Sequence, residues 1–377
     1  MIRSEPTLSP AALDAIRAPF LAVGAERVDT PIVQPLSLLL DLAGEALRAR
    51  LFVVQAEGGD EACLRPDFTV PVARLHLDRG APSGRYLYEG HVFRASPGDD
   101  RPEEMLQIGL ERYDPGETAP TSADIEIVAL AWAAAKAGGR QDLSLWLGDV
   151  ALFAAFIATL DLSPTLSARL ARAAGRPRLL LTELARAGQR PVAAGEGDLA
   201  RFLSALPPDR AGKVLEEVWS LAGIEPVGGR GPHEIAQRLI RKGAAAQAPA
   251  LTPAQAQAIQ DFLSIESPPA EAMAAIGKLA GPKAGALNAV LDQWRDRLET
   301  LSDGGISAFR FATALGHAFD YYDGLFFEVR SAALGADQPV AVGGRYDGLP
   351  ARMGAGAGAR AIGCMVRPGR AAAEVPQ

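Results

Sequence analysis

The chain has 377 residues, 48% of them hydrophobic, and carries a formal net charge of −7. That is ample for a large core and suggests two or three domains, while the acidic balance excludes the global basic field typical of nucleic-acid binders. The only two cysteines, Cys63 and Cys364, lie far apart without CxxC spacing or clustered histidines, which argues against a disulfide framework or a zinc site.

In chain order, residues 8–25 read as an amphipathic helix opened by the Ser9-Pro10 pair. The β-branched, proline-punctuated stretch RVDTPIVQP (27–35) reads as strand rather than helix. LSLLLDLAGEALRARL (36–51) follows, with a turn expected at Glu57-Gly58-Gly59-Asp60. TVPVARLHLDRG (69–80) has helical apolar spacing. YLYEGHVFRAS (86–96) and MLQIGLERYD (105–114) read as a hairpin with a long polar tip, and ADIEIVALAWAAAKAG (123–138) as a helix ending in glycines. From about 160 to 300 the pattern is helical, clearest at 166–188, 209–223 and 285–301. Strand character returns from 303 in ISAFRF, LFFEVRS and PVAVGG. The expected fold class is therefore α+β, a core split by a helical insertion, with segments 1–155, 156–302 and 303–377. The N-terminus lacks an apolar signal core and no apolar run is long enough to span a bilayer. A cytoplasmic protein without membrane contact is expected.

Chemistry concentrates outside the helical block. Gln107 and Glu111 are an even number apart, so one strand aims both at one sheet face, with Arg94 on the opposite arm of the hairpin. A carboxylate and a carboxamide there suit an α-ammonium group and an imidazole respectively, although a solvated face with ordinary cross-strand pairs has the same pattern. Asp67 and Thr69 stand at a helix start, where they serve either as caps or as holders of a cationic amine. Tyr321 and Tyr322 precede a turn at Asp323-Gly324, and adjacent tyrosines on a strand commonly split between core and surface. His317 has no neighbouring Ser, Cys or metal cluster, which favours a structural or ligand-lining role over a general base. His76, His91 and His233 are scattered and suggest no metal site. A basic face at Arg169, Arg172, Arg176, Arg178, Arg186 and Arg190 is compatible with a salt-bridged solvent face, an acidic protein partner or an RNA backbone.

Several of these segments resemble histidyl-tRNA synthetase. RYLYEGHVFRASPGDDRPEEMLQIGLERYD (85–114) is similar to its motif 2 hairpin, and GHAFDYYDGLFFEV (316–329) and VGGRYDGL (342–349) to its histidine-binding segment and the glycine-rich strand after it. RVDTPIVQP looks like motif 1 with Pro31 at its proline, and AIGCMVRPGR like motif 3 with Arg370 at its arginine. The resemblance covers about residues 10–140 and 300–370. It implies a class II aminoacyl-tRNA synthetase-like antiparallel sheet flanked by helices. It also implies a histidine pocket formed by Asp67, Thr69, Arg94, Gln107, Glu111, Tyr321 and Tyr322.

The departures point away from synthesis. Asp67 stands for the family's Glu and Phe68 for its Gly, and the catalytic arginine position reads His317. The motif 2 loop, SPGDDRPEEM, is acidic where the family carries arginines for ATP and the tRNA end. The sequence also stops seven residues after Arg370, so no anticodon-binding domain is expected. The paralogous family that combines these traits is the regulatory subunits of ATP phosphoribosyltransferase, and LLDLAGEALRARLFVV and CLRPDFTVPVARLHL resemble it especially. The resemblance implies a non-catalytic regulatory subunit with no catalytic residue, cofactor or metal. Its expected effector is L-histidine, acting as feedback inhibitor. Its expected partner is a short-form ATP phosphoribosyltransferase catalytic subunit, bound by a homodimer formed through motif 1 within a hetero-oligomer. The rival is a truncated synthetase paralogue that still activates an amino acid with ATP, supported by Arg94 and Arg370. An RNA-binding module is disfavoured by charge.

Overall fold

The computed structural model describes residues 3–5, 8–43, 45–55, 61–96, 101–116, 121–174, 177–188, 202, 206, 208–221, 250–280, 284–306, 308–316, 321–354 and 359–373. The expected turn at 57–60 and the segment 317–320, which contains His317, lie outside them. The strands are β1 (Glu26–Arg27), β2 (Val33–Pro35), β3 (Val53–Gln55), β4 (Glu61–Leu64), β5 (Gly84–Phe93), β6 (Glu104–Pro115), β7 (Leu143–Asp149), β8 (Glu266–Ser267), β9 (Phe309–Ala312), β10 (Leu325–Ser331), β11 (Ala341–Arg345) and β12 (Ala359–Val366). Nine of them form one sheet in the order β1-β5-β6-β12-β11-β10-β7-β9-β8, and β2-β4-β3 form a small second sheet.

The large sheet is antiparallel except at two places, where β1 pairs with β5 and β7 with β9 in parallel. The hairpin is the one expected, with Phe93 opposite Glu104 and Gly84 opposite Tyr113. RVDTPIVQP does not form one strand. Pro31 falls between β1, which joins the edge of the large sheet, and β2, which joins the small one, as a residue without a backbone donor would dictate.

Helix α1 (Pro10–Ala22) starts as the sequence predicts, the Ser9 hydroxyl accepting from the N–H of Ala12 at 3.3 Å. Helices α2 (Leu36–Ala43), α3 (Thr69–Arg79) and α4 (Thr121–Ala137) follow, and α3 ends on Gly80 with φ +60, the left-handed conformation glycine adopts at least cost. The two faces of the sheet carry different cores. On one, Phe327, Val329 and Leu145 pack with Ile127 and Ala131 of α4 and with Leu291 and Trp294 of the helix Gly285–Asp303. On the other, Tyr86, Tyr88 and Tyr113 pack with Leu39 of α2 and Val72 of α3. Strand alternation distributes one side-chain set to each core, and the candidate site opens on the second face.

Helix α5 (Val150–Ile157) follows β7, and between residues 156 and 302 most elements are helices, among them α6 (Pro164–Ala174), α7 (Pro177–Ala185), Pro208–Leu221, Pro253–Leu263 and Pro269–Leu279. Two residues depart from the helical expectation, since β8 adds the edge strand beside β9. Of the expected basic face, Arg169 pairs with Glu183 at 2.8 Å between α6 and α7, while Arg176 and Arg190 lie outside the described residues. The helix Gly285–Asp303 is anchored to the sheet by polar contacts as well. Trp294 Nε1 donates to Asp149 at 2.7 Å, and Arg297 reaches Asp124 of α4 at 3.0 Å. Asp124 also accepts from Arg345 Nε at 2.9 Å, so one buried carboxylate joins α4, β11 and that helix. Among the described residues no helix is long and apolar enough to cross a membrane, and no group of three or more metal-ligating side chains occurs.

Candidate functional site

The floor of the site is cleared by glycines. On the second sheet face, Glu111 of β6 lies opposite Gly363 of β12, which lies opposite Gly344 of β11. The Glu111 carboxyl occupies the volume a Cβ at Gly363 would take, and the Tyr322 ring lies 2.9 Å from where one at Gly344 would stand. On β6 itself, the Tyr88 hydroxyl fills the corresponding space over Gly109. Side chains that would otherwise stand upright can therefore lie across the sheet and converge.

They converge on a cleft of about 350 Å³, within the size range of small-molecule sites. Asp67, Thr69, Arg94, Gln107, Tyr321 and Tyr322 line it. Glu111, 1% exposed, closes its inner end, where its carboxyl accepts from Thr69 Oγ1 at 3.0 Å and from the Tyr346 hydroxyl. All seven residues of the expected pocket are thus gathered at one place. The eighth expected position, His317, lies outside the described residues.

The electrostatics of the group follow from burial. Gln107 is 1% exposed, and neither its amide nitrogen nor its carbonyl oxygen makes a hydrogen bond. Asp67 Oδ1 is buried and likewise makes none. Burial raises the Asp67 pKa, against the charge of Arg94 and the amides of Val70 and Thr69. Glu111 is pushed up to about 8 by burial, with the nearby Asp67 adding to the effect and the hydroxyls of Tyr346 and Thr69 opposing it. Two carboxyl groups in surroundings that disfavour their charge form a receptor for a cation or a hydrogen-bond donor.

Helix α3 places Asp67 and Thr69, and the Asp67 carboxyl also serves the helix start by accepting from the amides of Thr69 and Val70. Its N-cap position is Phe68, which makes no side-chain cap, and the Thr69 hydroxyl is directed to Glu111. Phe68 itself is stacked on Tyr88 at 4.4 Å and 12°, with the Arg65 guanidinium 4.0 Å above its ring. Arg65 in turn donates to the carbonyls of Thr30 (2.7 Å) and His91 (2.8 Å). The bulk that Phe68 brings is thus accommodated beneath the cleft, where Gly90 leaves room for it. Arg94 is fixed by donating from Nε to the Pro66 carbonyl at 2.8 Å.

Tyr346, Tyr88 and Phe326 belong to the site and were not singled out in the sequence. Tyr346 had a signal in its place within VGGRYDGL, two residues after Gly344. The other side of the cleft is lined by Arg50, Arg94, Arg101, Arg367 and Arg370, of which only Arg94 was an expected pocket residue.

The model of the histidyl-tRNA synthetase family matches residues 10–227 and 231–369. A protein of Allorhizobium ampelinum named ATP phosphoribosyltransferase regulatory subunit is 38% identical over 344 residues, covering 89% of this chain and 90% of the relative. One of the same name from Brucella canis is 36% identical over 361 residues, covering 91% of each. The chain belongs to the histidyl-tRNA synthetase-like family of ATP phosphoribosyltransferase regulatory subunits. Among solved structures, a Bacillus halodurans ATP phosphoribosyltransferase regulatory subunit/histidyl-tRNA synthetase superposes with a TM-score of 0.63 at 23% identity, covering 97% of this chain and 78% of that one. Histidyl-tRNA synthetase from Nostoc superposes with a TM-score of 0.60 at 16% identity, over 95% and 69% of the two chains. These two bear on the fold alone, and the fold is that of the class II synthetase core.

Proposed function

We propose that this member of the regulatory-subunit family is the histidine receptor of its complex. Like its relatives it serves the first step of histidine biosynthesis as a non-catalytic subunit that works with a catalytic ATP phosphoribosyltransferase. The finer reading concerns what it senses and how. The observation that carries it is the buried, unpaired amide of Gln107 beside the unpaired Asp67 Oδ1, both facing one small cleft. Buried polar atoms are nearly always hydrogen-bonded, so a wall of unpaired ones supports a polar occupant. Free histidine matches the wall in size and chemistry. Its ammonium group suits Asp67 and the Gln107 carbonyl, and its carboxylate suits Arg94. Its ring suits the aromatic wall made by Tyr321 and Tyr322, whose ring centroids lie 4.7 Å apart, with a ring N–H reaching Glu111 at the closed end. Depth supports this arrangement, since Gln107 lines the open cleft and Glu111 is not part of its lining, and it reverses the pairing that residue type alone suggests.

Titration of the purified chain with L-histidine tests the reading. Gln107→Ala and Asp67→Asn each remove one partner of a buried ligand group, at a cost of about 1–3 kcal/mol, which is roughly tenfold to a hundredfold in Kd. Unchanged affinity in both variants would place histidine elsewhere.

A further inference from the structure

The arginine side of the cleft is crowded. Burial lowers the pKa of Arg50, and Arg94 and Arg101 lower it further. Arg367 is pushed down to about 9 by burial, with Arg94 and Arg370 adding to the effect. It is 4% exposed, lines the cleft, and its Nε makes no hydrogen bond. Like charges held this close in a region of low polarity favour a counter-ion strongly.

The chain supplies one from far away in sequence. Residues 3–5 lie along the start of β6. The Arg3 carbonyl accepts from the amides of Glu103 (2.7 Å) and Glu104 (3.1 Å), and the Glu5 amide donates to the Glu104 carbonyl at 3.2 Å. Side chains strengthen this strap: Ser4 Oγ donates to Glu104 at 2.9 Å, and Arg3 stands 3.6 Å from Glu103. The strap thereby ties down two acids of the hairpin tip and delivers the Glu5 carboxyl to the arginines, 3.7 Å from Arg367 Nη1 and 3.7 Å from Arg370 Nε. The Glu5 side chain is 7% exposed, meets each arginine at ion-pair distance, and has its pKa raised by burial against the charges of Arg367 and Arg370. It offsets part of the charge of Arg367 and Arg370, as Asp337 does for Arg101 at 3.6 Å, without the close, directed geometry that makes arginine–oxyanion contacts strong.

We propose that Glu5 is a built-in counter-ion that occludes the arginine lobe, and that an oligophosphate anion enters only by displacing the strap formed by residues 3–5. A phosphate group offers several oxygens to Arg367 and Arg370 where Glu5 offers a single ion-pair distance to each, so the exchange is one of weak contacts for directed ones. The inference does not depend on histidine as the occupant of the neighbouring pocket.

Inorganic pyrophosphate is the probe, titrated calorimetrically into the full chain at low ionic strength, where such contacts are least screened. Glu5→Gln keeps the side-chain shape and is expected to tighten pyrophosphate binding at least ~10-fold, about 1.4 kcal/mol. Adding Arg370→Ala to it is expected to abolish the gain. Glu271→Gln, a charge removal on an exposed helix elsewhere, is expected to leave affinity unchanged. Equal pyrophosphate affinity in wild type and Glu5→Gln, including no binding to either, overturns the proposal, and so does an equal gain in Glu271→Gln. A second measurement needs no variant. Saturating pyrophosphate is expected to speed amide hydrogen exchange at Glu5 and Glu104 in the wild-type chain, and unchanged protection with pyrophosphate bound shows that the strap stays in place and refutes displacement.

Discussion

The carboxyl group of Glu111 lies where a side chain on Gly363 would begin, the two residues being direct partners across β6 and β12. That relationship sets the shape of the pocket. With hydrogen at Gly363, Glu111 can lie flat over β12 and reach the hydroxyl of Tyr346, the residue after β11, while Thr69 reaches it from α3. Any larger residue at 363 lifts the carboxyl into the cleft.

Gly363→Ala is therefore expected to destabilise the fold by about 1–3 kcal/mol through overpacking, and to weaken histidine binding by displacing Glu111. Urea midpoints and calorimetric titration measure the two effects. Gly285→Ala is the matched control, since a Cβ there meets open space at the start of a helix. A Gly363→Ala protein with wild-type midpoint and affinity would remove Glu111 from the account of the pocket.

Glu111 also gives the empty protein a pH signature. Its pKa is raised from 4.5 to about 8, chiefly by burial. Between those values the folded state holds a proton that the unfolded state has released, so stability falls as pH rises from about 4.5 towards about 8 and levels off above it. Glu111→Gln should flatten the profile in that window, as read from denaturation midpoints. A cationic or donor ligand favours the ionised carboxylate, so histidine binding near pH 7 should release a proton. Titration in buffers of different ionisation enthalpy counts it, and a proton count of zero would separate Glu111 from the ligand.

The pocket residues were legible in the sequence where their geometry is local. A strand period of two is enough to put Gln107 and Glu111 on one face, and the hairpin register brings Arg94 to the same side. Asp67 and Thr69 were visible at a helix start, and Asp67 meets both readings there, its carboxyl taking first-turn amides while one oxygen stays unpaired. Non-local relationships were not legible. Nothing near Gly363 reveals that a residue about 250 positions earlier will lie over it, because that depends on the β6–β12 register. For the same reason Glu5 attracted no notice, its meaning resting on a contact with Arg367 and Arg370 at the other end of the chain. The splitting of RVDTPIVQP between two sheets was hidden too, since propensity marks extended backbone without saying which sheet receives it.

The isolated chain should not activate histidine. Position 317 carries histidine where the synthetase family has its catalytic arginine, and of the two synthetase-like arginines that remain, Arg370 faces Glu5. Stabilising charge on a reacting phosphate needs fixed donors aimed at it, and an imidazole, unlike a guanidinium, is not a permanent cation. Histidine-dependent exchange of labelled pyrophosphate into ATP is the assay, and the expected result is a rate indistinguishable from the enzyme-free blank, in His317→Arg as in the wild type. Measurable exchange by the wild-type chain would revive the truncated-synthetase reading.

The remaining prediction concerns the complex. A subunit that contributes no chemistry acts only through its differing affinity for the states of its partner, so the chain should co-elute with a short-form ATP phosphoribosyltransferase catalytic subunit and raise its activity. Histidine should then inhibit the assembled enzyme, and by linkage substrates that favour the active state should weaken histidine binding by the same factor. Gln107→Ala serves as the test because its side chain faces the cleft and makes no hydrogen bond within the chain. Its loss should leave assembly and uninhibited activity intact while raising the histidine concentration for half-inhibition roughly tenfold or more, in step with the loss of ligand affinity. Should that variant stay fully sensitive to histidine while its isolated chain no longer binds it, feedback must pass through a different site, and the pocket would be a relic of synthetase ancestry with no part in control.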